Sequence, residues 1–150
     1  MIIRPYAPAD KPACLAAFES NMPRFFAPHE LEDYTAWLDA FADGDRYYVA
    51  EENGEVIGCG GFNADADKQE AFMAWGLIHN AHHKRGLGKA LLLFRLRAIR
   101  DICPQCIIKL DTTQHSFPFF EKLGFRTVRI TRNFYGEGLD RYDMEQQPGE

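Results

Sequence analysis

No run of 18 consecutive apolar residues occurs in the chain, so nothing in it reads as a transmembrane helix. The N-terminus, Met1-Ile2-Ile3-Arg4-Pro5, lacks the long apolar region and small-residue cleavage site of a secretory signal. Together these absences give the expectation of a cytoplasmic protein with no membrane partner. Basic residues are not in excess: 17 Lys and Arg against 22 Asp and Glu leave a net charge of −5, which argues against a nucleic-acid partner. An acidic surface suits a cationic substrate such as an amine. Four cysteines, Cys14, Cys59, Cys103 and Cys106, are too few and too scattered for a disulfide framework. Cys103 and Cys106 form a C-x-x-C, but no second ligand pair accompanies them, so no zinc site and no metal is expected. A redox pair usually sits at a helix N-terminus, whereas this one falls between a helix end and a strand. Its expected role is structural. Repeats, linkers and low-complexity tracts are absent too. With 150 residues and 46% hydrophobic content, the chain reads as one domain, 1–150, with a real core.

What is present is organised around Gly76 to Leu93. Phe72, Met73, Ala74, Trp75, Gly76, Leu77 and Ile78 form a nearly unbroken apolar run, as in a strand covered on both faces. After Gly86, Leu87 and Gly88, the residues Leu91, Phe94, Ala98 and Ile102 recur at spacings of three and four, one face of a helix. Arg95, Arg97 and Arg100 are expected at the edges of that face, reaching water. A glycine-rich first turn offers unpaired N–H groups and the positive end of the helix dipole to an anion. Lys84, Arg85 and Lys89 add formal charge, and Gly86 and Gly88 permit close approach to the backbone. A phosphate or pyrophosphate is the natural occupant. The P-loop pattern fails, because His83 stands at its first glycine and Ala90 at its hydroxyl. The dinucleotide fingerprint fails because Leu91 stands at its third glycine.

The turn His83-Lys84-Arg85-Gly86-Leu87-Gly88 resembles the pyrophosphate loop of the GNAT acetyltransferase superfamily, with His83 in place of the usual Gln or Arg. Downstream, Phe119-Phe120-Glu121-Lys122-Leu123-Gly124-Phe125 is similar to that family's second signature, in matching order and separation. The resemblance implies an α/β (α+β mixed) fold: a central mixed sheet of about six to seven strands, about four helices, and a splayed parallel pair at the cofactor crevice. It implies acetyl-CoA as donor, held by His83, Lys84, Arg85, Gly86, Leu87, Gly88 and Lys89, with CoA as product. The backbone of Leu77 and Ile78 would pair the pantetheine arm as a further strand would.

In chain order, Ile2 and Ile3 begin a strand. Asp10 is the expected N-cap of a helix through about Glu19, and a second helix is expected from His29 to Phe41, ended by Gly44. Arg46 to Glu52 and Glu55 to Phe62 read as strands joined by Asn53-Gly54, a tight hairpin sequence. A polar link, Asn63 to Gln69, leads into the apolar strand. Cys106 to Asp111 follows the long helix, and the crossover implies that it lies parallel to the strand before the loop. Parallel strands that part leave a crevice at their carboxyl ends, where open α/β sheets bind ligands. A short helix at Phe117 to Leu123, strands near Phe125 to Phe134 and Leu139 to Glu145, and a tail from Gln146 complete the chain.

Acetyl transfer to an amine needs a bound donor, a deprotonated amine and stabilisation of developing oxyanion charge. For the oxyanion, the resemblance points to backbone N–H groups near Leu77. For the base, it points to Glu70, early on the central strand. Asp111 and His115 lie at the crevice end of the next strand and its loop. The aromatic segment between the first two helices walls the acceptor pocket in similar proteins, which makes Phe25, Phe26, Tyr34 and Trp37 the acceptor-side candidates. Thr113 stands where relatives contact pantetheine through asparagine, and Phe120 where many carry a tyrosine acid. A phenylalanine cannot donate a proton, and Tyr135 or Tyr142 could take that role. The activity implied is N-acetyl transfer to a small-molecule or peptide amine in a ternary complex. The alternative is a CoA-binding module without catalysis. Monomer and homodimer both stay open.

Overall fold

The computed structural model describes residues 1–43 and 46–149. The end of the second helix expected at Gly44 and the last residue of the tail therefore lie outside the described residues. The order of elements is β1 (Ile2–Pro5), α1 (Lys11–Ser20), α2 (Glu30–Trp37), β2 (Tyr47–Glu52), β3 (Glu55–Asp65), β4 (Glu70–Ile78), α3 (Leu87–Ile102), β5 (Ile107–Thr112), α4 (Phe117–Glu121), β6 (Arg126–Gly136) and β7 (Leu139–Gln146). A π-helical turn, Leu38–Ala42, extends α2. One seven-stranded sheet runs in the order β1-β2-β3-β4-β5-β7-β6, as expected of the fold class.

Local chemistry accounts for most element ends. Asn53 (φ 53°) and Gly54 (φ 80°) both occupy the left-handed region that the tight β2–β3 hairpin requires. Asp10 corrects one expectation. It precedes α1 but makes no side-chain cap to it. Its carboxylate instead accepts from the Ala7 N–H at 2.9 Å and from two nitrogens of Arg4, both at 2.9 Å, tying the chain entry to β1. The polar link after β3 is also shorter than expected, because Asn63, Ala64 and Asp65 continue the ladder against β4.

Two apolar clusters lie on opposite faces of the sheet. Phe18, Tyr34, Leu38, Tyr47, Val49 and Leu77 pack beneath α1 and α2, while Leu92, Leu96, Ile99, Ile108, Phe125 and Met144 pack beneath α3. The edge position expected for Arg95 is overturned. Arg95 is 5% exposed and lies on the same helical face as Leu91, Leu92, Leu96 and Ile99. The spacing from Leu91 and Leu92 to Arg95 is one helical turn, so the position is dictated by period rather than polarity. Arg97 reaches solvent. Arg100 is half-buried and donates to the Cys106 carbonyl and, at 3.1 Å, to the Gln146 side chain.

The four cysteines are not all free. Cys103 and Cys106, with Cα atoms 5.4 Å apart, form a disulfide where α3 turns into β5. The Cys106 N–H donates to the Cys103 carbonyl at 3.2 Å, and that turn brings the two side chains together. Cys14 and Cys59 are free and buried.

Two irregularities in β4 position everything that follows. Cys59 pairs with Leu77 and Gly61 with Ala74, so Trp75 and Gly76 together oppose the single residue Gly60. This is a β-bulge, and Trp75 takes φ 36° to make it. Second, β4 pairs in parallel with β5 only at Glu70↔Ile107, Ala71↔Ile108 and Phe72↔Lys109. Past Phe72 the two strands part, while β5 stays paired with β7 as far as Thr112.

Candidate active site

The wedge between β4 and β5 opens toward the turn that starts α3. Gly86 has φ 77°, and a Cβ there would meet nothing within 4 Å. A Cβ on Gly88 would meet only Ile78 at 3.8 Å and Phe119 at 3.9 Å. The first helical hydrogen bond runs from Ala90 N–H to the Gly86 carbonyl at 3.1 Å, which leaves the Leu87, Gly88 and Lys89 N–H groups ahead of it. Exposed Lys84 and Lys89 flank these donors. The cradle therefore fits a pyrophosphate: open backbone donors, no Cβ in the way, and cationic edges.

Two of the expected loop contacts are already engaged within the protein. Arg85 forms a two-pronged ion pair with Glu52 at 2.8 and 3.0 Å and sits 2.8 Å from His82 Nδ1. The His83 Nε2 lies 2.8 Å from the Ile78 carbonyl, an acceptor, so that nitrogen carries the proton and donates. His83 thus ties the loop to the end of β4. The same carbonyl accepts from Asn21 Nδ2 at 2.9 Å, and buried Asn21 also donates to the Ala17 carbonyl at 2.8 Å. The expectation that the Ile78 carbonyl would be free for the cofactor is corrected, because both of its lone pairs are used. Leu77 remains next to the bulge. Asn21 was not legible as a site residue, since nothing local in the sequence shows that the end of α1 meets the end of β4.

On the β5 side, the Tyr135 hydroxyl donates to Asp111 Oδ2. Burial, followed by the nearby Asp111 charge, pushes the Tyr135 phenol far above its usual range. Asp111 lies opposite Asp143, which is ion-paired with Arg141 at 2.8 Å. Glu30, nearly buried, has its carboxyl pushed up by burial, although its hydrogen bond from the Ala27 N–H at 2.9 Å pulls the other way. Glu70 lies at the closed end of the wedge and pairs with Lys109 at 3.2 Å. His115 sits on the loop after β5, with its ring edge-on to Phe25 at 6.1 Å. Phe25 is likewise edge-on to His83 at 5.7 Å. Phe25 thereby brings the glycine loop and the β5 loop together.

The other aromatic candidates separate. Tyr34 is fully buried, its hydroxyl 2.7 Å from that of Tyr47 and 3.2 Å from the Cys59 sulfur, so it belongs to the core and not to an acceptor wall. Phe26 stacks on Phe18 at 4.3 Å and backs the site from within. Trp37 remains partly open and lines a shallow recess with Phe41, Phe72 and Ala74. A second cleft lies between the α1–α2 loop and the β6–β7 turn, lined by Arg24, Pro28, His29, His115, Glu137 and Leu139. Buried Thr113 uses its hydroxyl to accept from the His115 N–H at 3.2 Å, shaping the β5 loop. Phe120 is half-buried against Phe119 and Phe125. Tyr142 stacks on Phe117 at 4.4 Å, which leaves Tyr135 as the tyrosine with a partner in the wedge.

Residues 14–125 match the family model described as Acetyltransferase (GNAT) family. The chain is 26% identical over 141 residues to an N-alpha-acetyltransferase of Sulfurisphaera tokodaii, covering 85% of this chain and 79% of that protein. Its fold is similar to that of a ribosomal-protein-alanine N-acetyltransferase from Brucella melitensis, with TM-score 0.77, 19% identity and coverage of 98% and 99%. It is also similar to an aminoglycoside 6'-N-acetyltransferase complexed with coenzyme A, with TM-score 0.75, 15% identity and coverage of 98% and 97%.

Proposed function

From the premise that the chain belongs to the acetyltransferase (GNAT) family and is an acetyl-CoA-dependent acyltransferase, we propose that it acetylates a primary amine directly, in a ternary complex, with a peptide N-terminus as the favoured acceptor. The observation that carries this is the parting of β4 from β5 beside the open glycine turn. Backbone donors at Leu87, Gly88 and Lys89 would hold the pyrophosphate, and the free β4 edge near Leu77 would hold the arm. Acetyl-CoA supplies an activated thioester. Family membership favours transfer over a module that only binds CoA. The peptide acceptor is supported by the N-alpha-acetyltransferase relative and by the cleft between the α1–α2 loop and the β6–β7 turn.

In the transfer a C–N bond forms as the C–S bond breaks, the amine loses a proton and the sulfur leaves as thiolate. A peptide α-amino group, pKa about 7.7 to 8.0, is mostly protonated at neutral pH and must be deprotonated before it attacks. Asp111 is the base best supported, through its Tyr135 hydrogen bond and its exposed position at the carboxyl end of β5. Glu70 is held by Lys109 away from the opening. His115, beside Phe25, is the second candidate. A thiol pKa of about 8.5 makes the thiolate a tolerable leaving group without a dedicated acid, so Phe120 does not stand against the reaction.

The test is calorimetric titration of acetyl-CoA into the wild type and a folded Gly86→Glu/Gly88→Glu variant, followed by thiol release with a panel of peptide and small amines. Binding by the wild type alone, with release that depends on peptide, supports the reading. Absence of wild-type binding removes it.

A further inference from the structure

Arg95 is the one cation among the buried polar residues described. No carboxylate lies within ion-pair reach of it among the described residues. Among the described residues it makes a single hydrogen bond, from Nη1 to the Gly61 carbonyl at 3.2 Å, and its Nε finds no partner there. Leaving a charge buried and unpaired costs several kcal/mol, so a position chosen for stability alone would be apolar, as its helical neighbours are.

The guanidinium lies against the back of the β4 bulge. A Cβ on Gly60 would stand 3.0 Å from its Cζ, and one on Gly76 would stand 2.5 Å from Nη2. Glycine at both positions makes the space for it. Gly76 itself is solvent-exposed, so one glycine backbone separates the cation from the opening between β4 and β5. From the other face, Tyr47 donates to the Trp75 carbonyl at 2.8 Å. The bulge is thus clamped between a hydroxyl on one side and a fixed positive charge on the other. The ionisable groups facing Arg95 are Tyr47 and Cys59, on β2 and β3. Burial lowers the Arg95 pKa to about 10, which leaves it charged at neutral pH.

We propose that Arg95 is a positioning residue for acetyl transfer: it fixes the Trp75–Gly76 bulge and sets a positive potential through Gly76 on the sulfur and carbonyl oxygen seated in the wedge. This rests on the donor site proposed above. Negative charge that develops there is stabilised by a cation that needs no reorganisation, because packing already holds it. The stability forgone in burying that cation is the expected counterpart of function.

The experiment uses CoA labelled with carbon-13 at its thiol-bearing carbon, bound to the full chain and titrated by NMR, so the protein's own thiols do not contribute. The comparison is with Arg95→Met, which keeps the stem, and Arg95→Gln, read wherever Met does not fold. In the wild type the bound thiol titrates below its free value, and in the neutral variants it rises by about one unit. Arg95→Lys, with the charge restored, recovers part of the depression. Melting temperature is unchanged or raised in Arg95→Met. An unmoved thiol titration in a folded neutral variant overturns the proposal while leaving the donor site standing, and a fall in melting temperature alongside it makes Arg95 merely structural. Failure of CoA to bind the wild type overturns the donor site, and this proposal with it.

Discussion

The Tyr135 hydroxyl donates a hydrogen bond to the Asp111 carboxylate, joining the end of β6 to the end of β5 across the intervening β7. Asp111→Asn removes the proton acceptor and is expected to lower kcat by about 10²- to 10⁴-fold. Tyr135→Phe leaves the carboxylate in place but unoriented, and should cost less. Steady-state thiol release with the best acceptor from the amine panel checks both, with acetyl-CoA affinity expected to stay at the wild-type level.

Gly86 and Gly88 separate conformation from access. At Gly86 an added Cβ has open space but a left-handed backbone, so Gly86→Ala should lose about 1 to 2 kcal/mol of stability. Gly88 lies inside the first turn of α3, where alanine is tolerated by its neighbours and is the better helix former by about 1 kcal/mol. Gly88→Ala should therefore be at least as stable as the wild type while binding acetyl-CoA more weakly. Thermal melts and calorimetry on the two variants give opposite orders if the cradle is read correctly.

The tie between Arg4 and Asp10 predicts an acid limb of stability. Hydrogen bonds from Arg4 hold the Asp10 carboxyl below the usual carboxylate range. A depressed folded-state pKa means that the stabilisation is fully present above the unfolded value, about 3.9, and is lost as pH falls through the folded one. Arg4→Met should lower stability near neutral pH and converge with the wild type in strong acid. Urea midpoints measured from pH 7 down to pH 2 would show the two curves meeting, and parallel curves would refute the assignment.

The Cys103–Cys106 disulfide closes a very short loop at the end of α3 opposite the glycine turn. Chain-entropy arguments put its contribution at about 2 kcal/mol. Replacing both cysteines with serine should lower the melting temperature and leave acetyl-CoA affinity and turnover unchanged. Loss of turnover at full occupancy would instead give the pair a part in function.

Much of this arrangement is legible in the sequence alone. The unbroken apolar run before the glycine turn and the period-3.6 pattern after it place β4 and α3, and the crossover rule makes β5 parallel to β4. Those are local or topological signals. What escaped depended on contacts between distant segments. Polar chemistry points Arg95 to the solvent edge, yet one turn from Leu91 and Leu92 its position on the helix is buried, and the glycines at 60 and 76 make room for it there. Its place near the aromatic loop points Tyr34 to an acceptor wall, but its hydroxyl finds Tyr47 and Cys59 inside the core. Asp10 looked like a helix cap and pairs back to β1 instead, because Arg4 offers a stronger partner than a backbone N–H. The occupied Ile78 carbonyl likewise needs Asn21 from α1, 57 residues away in the chain.

The parallel seam of only three residue pairs between β4 and β5 also bears on how the molecule comes apart. It makes the sheet two panels, β1 to β4 and β5 to β7, sewn along a short edge and backed by α3. A donor bound along the unsewn length, as proposed, would supply the hydrogen bonds of a missing strand and so act as a staple between panels as well as a reagent. Amide exchange in the strands flanking the gap should slow when CoA binds, and the two panels should then unfold as one unit.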